Sequence, residues 1–529
     1  MSSLDRVSTN LAVAASLASA TCSADVSQSS APVIKESELS RLQRTTHELS
    51  STLKVVSSAS SQINDNTVTI PTEIAVRIHD AAQKVAISTK DFLAKNNSGA
   101  VVAYLKGFGN EHESEALSGA LPVGQNNPQK VPYGLYAEQI SGTSFTTPRS
   151  VNLRTWLYRI QPYVCQGQFT KIDHPTIVAE FSKMHNDPNP QRLSPLEPAS
   201  IKAGTDFVDG LISITGQGNP SENTGLAVYL YGANCSMKDK SFCSADGDML
   251  IVPQEGALRI QTECGILEIT PGEICVIPRG IRYSVELKAS QARGYACEIF
   301  KGHFRLPELG PIGANGLAHP DHFQFPVAVY ENKKGEHQLV NKFQGDIFEA
   351  KMDHSPYNVI AFRGNYLPFK YDLSKFNTVN SVSYDHLDPS IFTVLTCQTQ
   401  EPGVALLDFV IFPPRWSVAE NTFRPPYYHK NTMSEVMGLI KGTYDARTTG
   451  FVPGGMSIHN CMTPHGPDSE AFKKGSNGDL TPIFMKDTMA FMFETSLPLK
   501  LTPFANKLRD RDYHKCWEGL ENNFDPNNP

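Results

Sequence analysis

Asp246-Gly-Asp-Met-Leu-Ile-Val-Pro-Gln254 opens the run, residues 246–286, whose reading decides the fold class. Ala257-Leu-Arg-Ile-Gln-Thr262 and Glu273-Ile-Cys-Val-Ile277 follow, with Pro-Gly at 271–272 and Pro278-Arg-Gly280 between and after them. Short β-branched runs broken by Gly, Pro and Asp predict closely spaced strands joined by turns. The same texture extends in both directions, in Gly225-Leu-Ala-Val-Tyr-Leu-Tyr231, Ala405-Leu-Leu-Asp-Phe-Val-Ile-Phe412 and Thr488-Met-Ala-Phe-Met-Phe-Glu494. Few helix-period segments occur beyond Tyr104. The main body therefore reads as mainly β, a sandwich or small barrel.

With 529 residues the chain is too long for one ordinary core, and at least two domains are expected. The net charge of −7 leaves no basic footprint for nucleic acid. No apolar run approaches the ~20 residues needed to span a bilayer. Ten cysteines are scattered through the chain without a CxxC pair, most of them inside apolar runs such as Glu273–Ile277. They read as buried reduced thiols in a reducing compartment, and a cytoplasmic location is expected.

The first hundred residues differ in texture. Leu11–Ala20 imitates the apolar core and cleavage site of a signal peptide, but Asp5 and Arg6 before it sum to zero charge. It reads as a targeting segment or as part of a disordered tail. From Ile34 to Val56, Leu42, Leu49 and Val56 fall on one heptad position and Leu39, Thr46 and Leu53 on the other. A second helix is expected after Pro71, with Ile74, Ile78, Ala81, Val85 and Phe92 on one face. Residues 1–100 are thus expected to form a partly disordered extension with two candidate helices, either a docking module or an addition without chemistry.

Two stretches carry the chemistry: Phe423-Arg-Pro-Pro-Tyr-Tyr-His429-Lys-Asn-Thr-Met-Ser-Glu435 and Met462-Thr-Pro-His465-Gly-Pro-Asp468. Two imidazoles and one carboxylate are the ligand set of a mononuclear non-haem Fe(II) site with an open face. In a straight strand His429 and Glu435 would stand roughly 20 Å apart, whereas two ligands of one metal each lie about 2 Å from it. The segment must bend, and Asn431 is the expected turn residue. The alternative is that these are unrelated polar residues. His386, in Ser383-Tyr-Asp-His-Leu-Asp-Pro389, lies between two aspartates whose charge would favour the imidazolium. Gly310–Gly316 lacks the Lys-Ser/Thr of a phosphate loop and reads as a turn.

Residues 246–286 and 429–465 each resemble the cupin jelly roll. The first contains no histidine and lacks the usual metal ligands. In the second, Pro453-Gly454 followed by His459 is similar to the second cupin motif. A two-domain cupin-like architecture is expected, with a degenerate cupin over 101–375 and a metal-bearing one over 376–529. Longer stretches narrow the resemblance further: Lys106-Gly-Phe-Gly-Asn-Glu-His112, Gly124-Gln-Asn-Asn-Pro-Gln129, Tyr136-Ala-Glu-Gln-Ile-Ser-Gly142, Gly310-Pro-Ile-Gly-Ala-Asn-Gly316 and Asp408-Phe-Val-Ile-Phe-Pro-Pro-Arg-Trp416. With the two histidine motifs, they resemble the homogentisate 1,2-dioxygenase family from about Tyr104 to about Pro526.

That resemblance implies cleavage of homogentisate by O2 to 4-maleylacetoacetate, a step of tyrosine and phenylalanine catabolism. It implies Fe(II) on His429, Glu435 and His465, His386 as the base, and Tyr444 and His465 in contact with substrate. His459 would be a ligand by the cupin pattern, but the family resemblance gives that role to His465 and leaves His459 in the pocket. It also implies a homo-oligomer, a hexamer built from trimers. Two other readings use the same residues differently: a zinc or manganese cupin isomerase or hydrolase, and a non-catalytic scaffold working through its N-terminal helices.

Overall fold

The computed structural model describes residues 102–444 and 450–528. Leu11–Ala20, the heptad run and the helix expected after Pro71 all lie outside these. Residues 102–529 form one compact unit, mainly β as the sequence texture predicts. Among the described residues the α-helices are the short segments Ser469–Asn477 and Ala505–Leu508, and none is long and apolar enough to cross a membrane.

The strands of the 246–286 run and the one after it are divided between two sheets. Asp248–Glu255, Glu273–Ile277 and Ala292–Ile299 lie in a nine-stranded sheet. Leu258–Thr262, Gly265–Ile269 and Tyr283–Leu287 lie in a seven-stranded one. Leu250, Cys275, Cys297, Ile260, Leu267 and Val285, all fully buried, belong to one apolar core. The interior of this half also buries an ion cluster. The Lys342 ammonium is buried within 2.6 Å of Asp246 and 3.1 Å of Glu298.

The site is built on a six-stranded antiparallel sheet, whose strands we number β1 (Gln191–Leu193), β2 (Thr393–Gln398), β3 (Ala405–Phe412), β4 (Ser434–Lys441), β5 (Met456–His459) and β6 (Met489–Thr495). They run in the order β2-β3-β6-β4-β5-β1. Because successive strand residues face opposite sides, each strand divides its side chains. Phe409, Phe491, Phe493 and Val436 face the nine-stranded sheet, where the Tyr295 ring lies 4.9 Å from Phe491 and its hydroxyl donates to the carbonyls of Leu439 and Gly455. Gly438 lies on that face because a Cβ there would come within 2.3 Å of the Phe491 ring.

β1 precedes the rest of its sheet by some two hundred residues. Reciprocally, Lys500–Leu501 pairs with Leu211–Asn219 at the edge of the nine-stranded sheet. The two halves of the chain thus each contribute one strand to the other's sheet.

Candidate functional site

The opposite face of the six-stranded sheet carries polar residues in register. Asp408 on β3, Glu494 on β6, Glu435 on β4 and His459 on β5 are successive cross-strand partners. Two residues further along, the row is Val410, Met492, Met437, Ser457 and Arg192. From Glu494 and Met492 onward these rows floor a cavity of about 360 Å³ lined by His386, His429, Glu435, Tyr444, His459 and His465 among others. All the residues singled out from the sequence for chemistry meet there.

The expected bend between His429 and Glu435 is present and Asn431 makes it. Its Oδ1 accepts from the Met433 amide at 2.6 Å, and its Nδ2 donates to Glu435 Oε1 at 3.0 Å. His429 and His465 sit side by side on two short segments joined by reciprocal backbone hydrogen bonds of 2.9 and 3.0 Å. Beyond His465, Asp468 caps the helix Ser469–Asn477 by accepting from the Ala471 amide, and this fixes the end of that segment.

One carboxylate gathers the imidazoles. His465 Nε2 lies 3.0 Å from Glu435 Oε2 and His429 Nε2 lies 3.5 Å from Oε1. The donor atoms of all three residues fall within 4.8 Å of one another. Adjacent ligands about 2.1 Å from a metal at right angles stand roughly 3 Å apart, so the spacing suits three corners of one coordination sphere. The ring tautomers agree. Nδ1 of His429 meets the Tyr427 carbonyl at 2.7 Å and Nδ1 of His465 meets the Thr463 carbonyl at 2.9 Å. A carbonyl only accepts, so each Nδ1 carries a proton, and Nε2 is the nitrogen left to face Glu435 and, once deprotonated, to ligate a metal.

The electrostatics follow from burial and these neighbours. Burial pushes the Glu435 carboxyl up, but the three imidazoles facing it hold it well below the usual carboxylate range. The Glu435 carboxylate in turn raises His429. Glu494 is pushed up to about 7 by burial and by the Glu435 and Asp408 charges. Burial likewise raises Asp408.

His459 is buried, with Nδ1 3.7 Å from Glu435 Oε2, Nε2 3.0 Å from the Tyr513 hydroxyl, and its ring stacked 4.0 Å from that of His465. Tyr444 packs edge-on to Phe412 at the cavity wall. His386 also lines the cavity, where its Nδ1 meets the Leu387 carbonyl at 2.7 Å, which leaves Nε2 as the acceptor. Neither flanking aspartate hydrogen-bonds this ring. The Asp385 amide donates to Thr422, and Asp388 accepts from Tyr427.

Sequence reasoning missed Glu494, Arg192 and Tyr427 as cavity residues. Alternation along Thr488–Glu494 puts Glu494 on the face of Met492, but nothing local says which sheet that face would meet. Arg192 is buried, with its guanidinium over the rings of Phe451 and Tyr513 and its Nε 2.8 Å from Ser457 Oγ.

Comparison with known proteins gives the context. Residues 103–373 match the family model described as "Homogentisate 1,2-dioxygenase N-terminal", and residues 374–524 match "Homogentisate 1,2-dioxygenase C-terminal". The chain is 56% identical to homogentisate 1,2-dioxygenase of Dictyostelium discoideum over 79% of its own length and 97% of that protein's. It is 52% identical to homogentisate 1,2-dioxygenase of Homo sapiens over 81% and 98%. Among solved structures it aligns with a cupin 2 conserved barrel domain protein from Leptotrichia buccalis, at 10% identity, TM-score 0.24, over 58% of this chain and 96% of that one.

Proposed function

The chain belongs to the homogentisate 1,2-dioxygenase family and is a ring-cleaving dioxygenase acting on homogentisate, and we propose that it works with an iron(II) ion held by His429, Glu435 and His465. The observation that carries this reading is the convergence of those three donor sets, within 4.8 Å, at the floor of a cavity. When bound, iron(II) supplies the electron source for O2 and one net positive charge, since its ligands would be two neutral imidazoles and one carboxylate.

The protein's own groups do the rest. His386 accepts the hydroxyl proton of the substrate at Nε2, the nitrogen that its carbonyl-bound Nδ1 leaves basic. Tyr444 donates a hydrogen bond that orients the aromatic ring without bringing a buried charge. His465 would touch substrate as well as hold the metal. His459 lines the pocket without coordinating, tied instead to Tyr513. Met437, Met492, Phe412 and Phe451 give the cavity apolar walls that exclude water from the ring. Both atoms of O2 enter the product, so homogentisate and O2 give 4-maleylacetoacetate with no other reactant.

Three further points belong to the same proposal. The division into 101–375 and 376–529 is supported by sheet membership: the six-stranded sheet draws all but β1 from beyond residue 392. A hexamer built from trimers is supported by family membership alone. A cytoplasmic location is supported by the free thiols of the described cysteines.

Metal analysis after anaerobic purification, with oxygen uptake on homogentisate, tests the reading. About one iron per chain and homogentisate-dependent uptake are expected. His429→Ala, Glu435→Ala and His465→Ala should each lose both iron and uptake. His386→Ala should keep the iron and lose about 100-fold or more in turnover. Zinc or manganese in place of iron in the active enzyme would overturn the assignment.

A further inference from the structure

His386 and His429 lie on segments forty residues apart in sequence, and Tyr427 touches both. Its carbonyl fixes the Nδ1 proton of His429 at 2.7 Å. Its hydroxyl donates to Asp388 Oδ1 at 2.9 Å, two residues beyond His386. Its ring meets the His386 ring edge-on at 6.2 Å and the His429 ring at 5.4 Å. The His386 ring's hydrogen bond is to its own segment, at the Leu387 carbonyl, so the position of the segment sets the position of the base. That segment has no regular structure from 380 to 388, and Asp385 adopts a left-handed φ of 66°. It is held on one side of His386 by the Asp385 amide on Thr422 Oγ1, at 2.7 Å. On the other side it is held by the Tyr427–Asp388 bond.

We infer that Tyr427 and Asp388 act as one positioning unit that sets the proton-accepting nitrogen of His386 over the cavity at a fixed place relative to His429. Tyr427 touches the site through its main chain and the base through its side chain. Moving one end of the residue moves the other, and the base is registered to the metal ligand rather than to the surface. Neither residue needs to meet the substrate. This inference rests on the function proposed above for His386.

The test uses Tyr427→Phe, Asp388→Ala and the double variant in the full-length iron-loaded enzyme. Tyr427→Phe keeps the carbonyl that orients His429 and the ring that packs on both histidines, and removes only the donor. Iron content should match wild type in all three. Turnover should fall about fivefold or more in each single variant, with KM for homogentisate within about twofold, as the loss of one charge-assisted hydrogen bond would give. The double variant should be no worse than either single one, because both remove the same bond. Amide hydrogen exchange in residues 380–388 should quicken about tenfold in each. Loss of iron in Tyr427→Phe, multiplicative losses in the double variant, or unchanged turnover with unchanged exchange would each overturn the inference. Exchange is read without turnover, so a wild-type enzyme that fails to consume O2 with homogentisate would sink the functional reading while exchange still decides the coupling.

Discussion

Asn431 makes two hydrogen bonds from one amide group, turning the chain at Met433 with its oxygen and holding Glu435 with its nitrogen. Asn431→Ala removes both, and iron affinity should fall by about 10- to 100-fold, as for other residues that orient a ligand. Competition with a chelator measures this. His337 offers a test unconnected to the metal. Burial lowers its imidazole from 6.5 to about 4, and its Nε2 has no hydrogen-bond partner. The unfolded chain takes up a proton near pH 6.5 while the folded one does not, so stability present above that pH is lost as pH falls toward 4. The loss is up to about 3 kcal/mol. Thermal unfolding of His337→Leu should therefore decline less between pH 6.5 and 4 than that of the wild type, and parallel curves would refute the assignment. At this scale the candidate triad was legible from its residue types together with the family resemblance; one shared metal would require the chain between His429 and Glu435 to bend, and Asn431 is a turn-forming residue type. Glu494 and Arg192 were not, because a place beside Glu435 or Ser457 is a fact of strand register, and register joins residues distant in sequence.

Strand β4 shows how one element serves two surfaces. Its sequence Ser434-Glu-Val-Met-Gly-Leu-Ile-Lys441 sends Glu435 and Met437 to the cavity and Val436 and Gly438 to the apolar core. Gly438 is the tight point, with the Phe491 ring 2.3 Å and the Tyr295 ring 3.1 Å from where a Cβ would stand. Gly438→Val should cost about 1–3 kcal/mol through overpacking, and denaturant unfolding at equal iron occupancy should show it as a lower midpoint. The strands themselves were readable. Runs read at 273–277 and 405–412 are strands with those bounds, and those read at 225–231 and 257–262 lie within one to two residues of the observed ends. β-branched texture and turn residues are local signals. What they leave out is pairing, so neither the order β2-β3-β6-β4-β5-β1 nor the capture of β1 could be read from them.

Across the whole molecule, that capture and its reciprocal bind the two halves together. β1 brings Arg192 to the cavity from the first half. The segment after Lys500 brings Tyr513 to His459 from the end of the chain, and pairs Lys500–Leu501 with the first half's sheet. A chain ending at Leu499 should then bind iron at least about tenfold more weakly, because a group that orients the site is gone. Iron titration of that shortened chain, with its unfolding midpoint, checks the prediction, and wild-type affinity would contradict it. The exchanged strands also impose a timetable on synthesis. The edge of Leu211–Asn219 leaves the ribosome roughly 280 residues ahead of its closing partner, a wait of tens of seconds at about 5–20 residues per second. For that interval a nascent chain displays an unpaired β edge, the template on which neighbouring chains cross-pair. Crowded polysomes should therefore be where this enzyme most needs a chaperone, and slowed translation of the last thirty residues should lower its soluble yield.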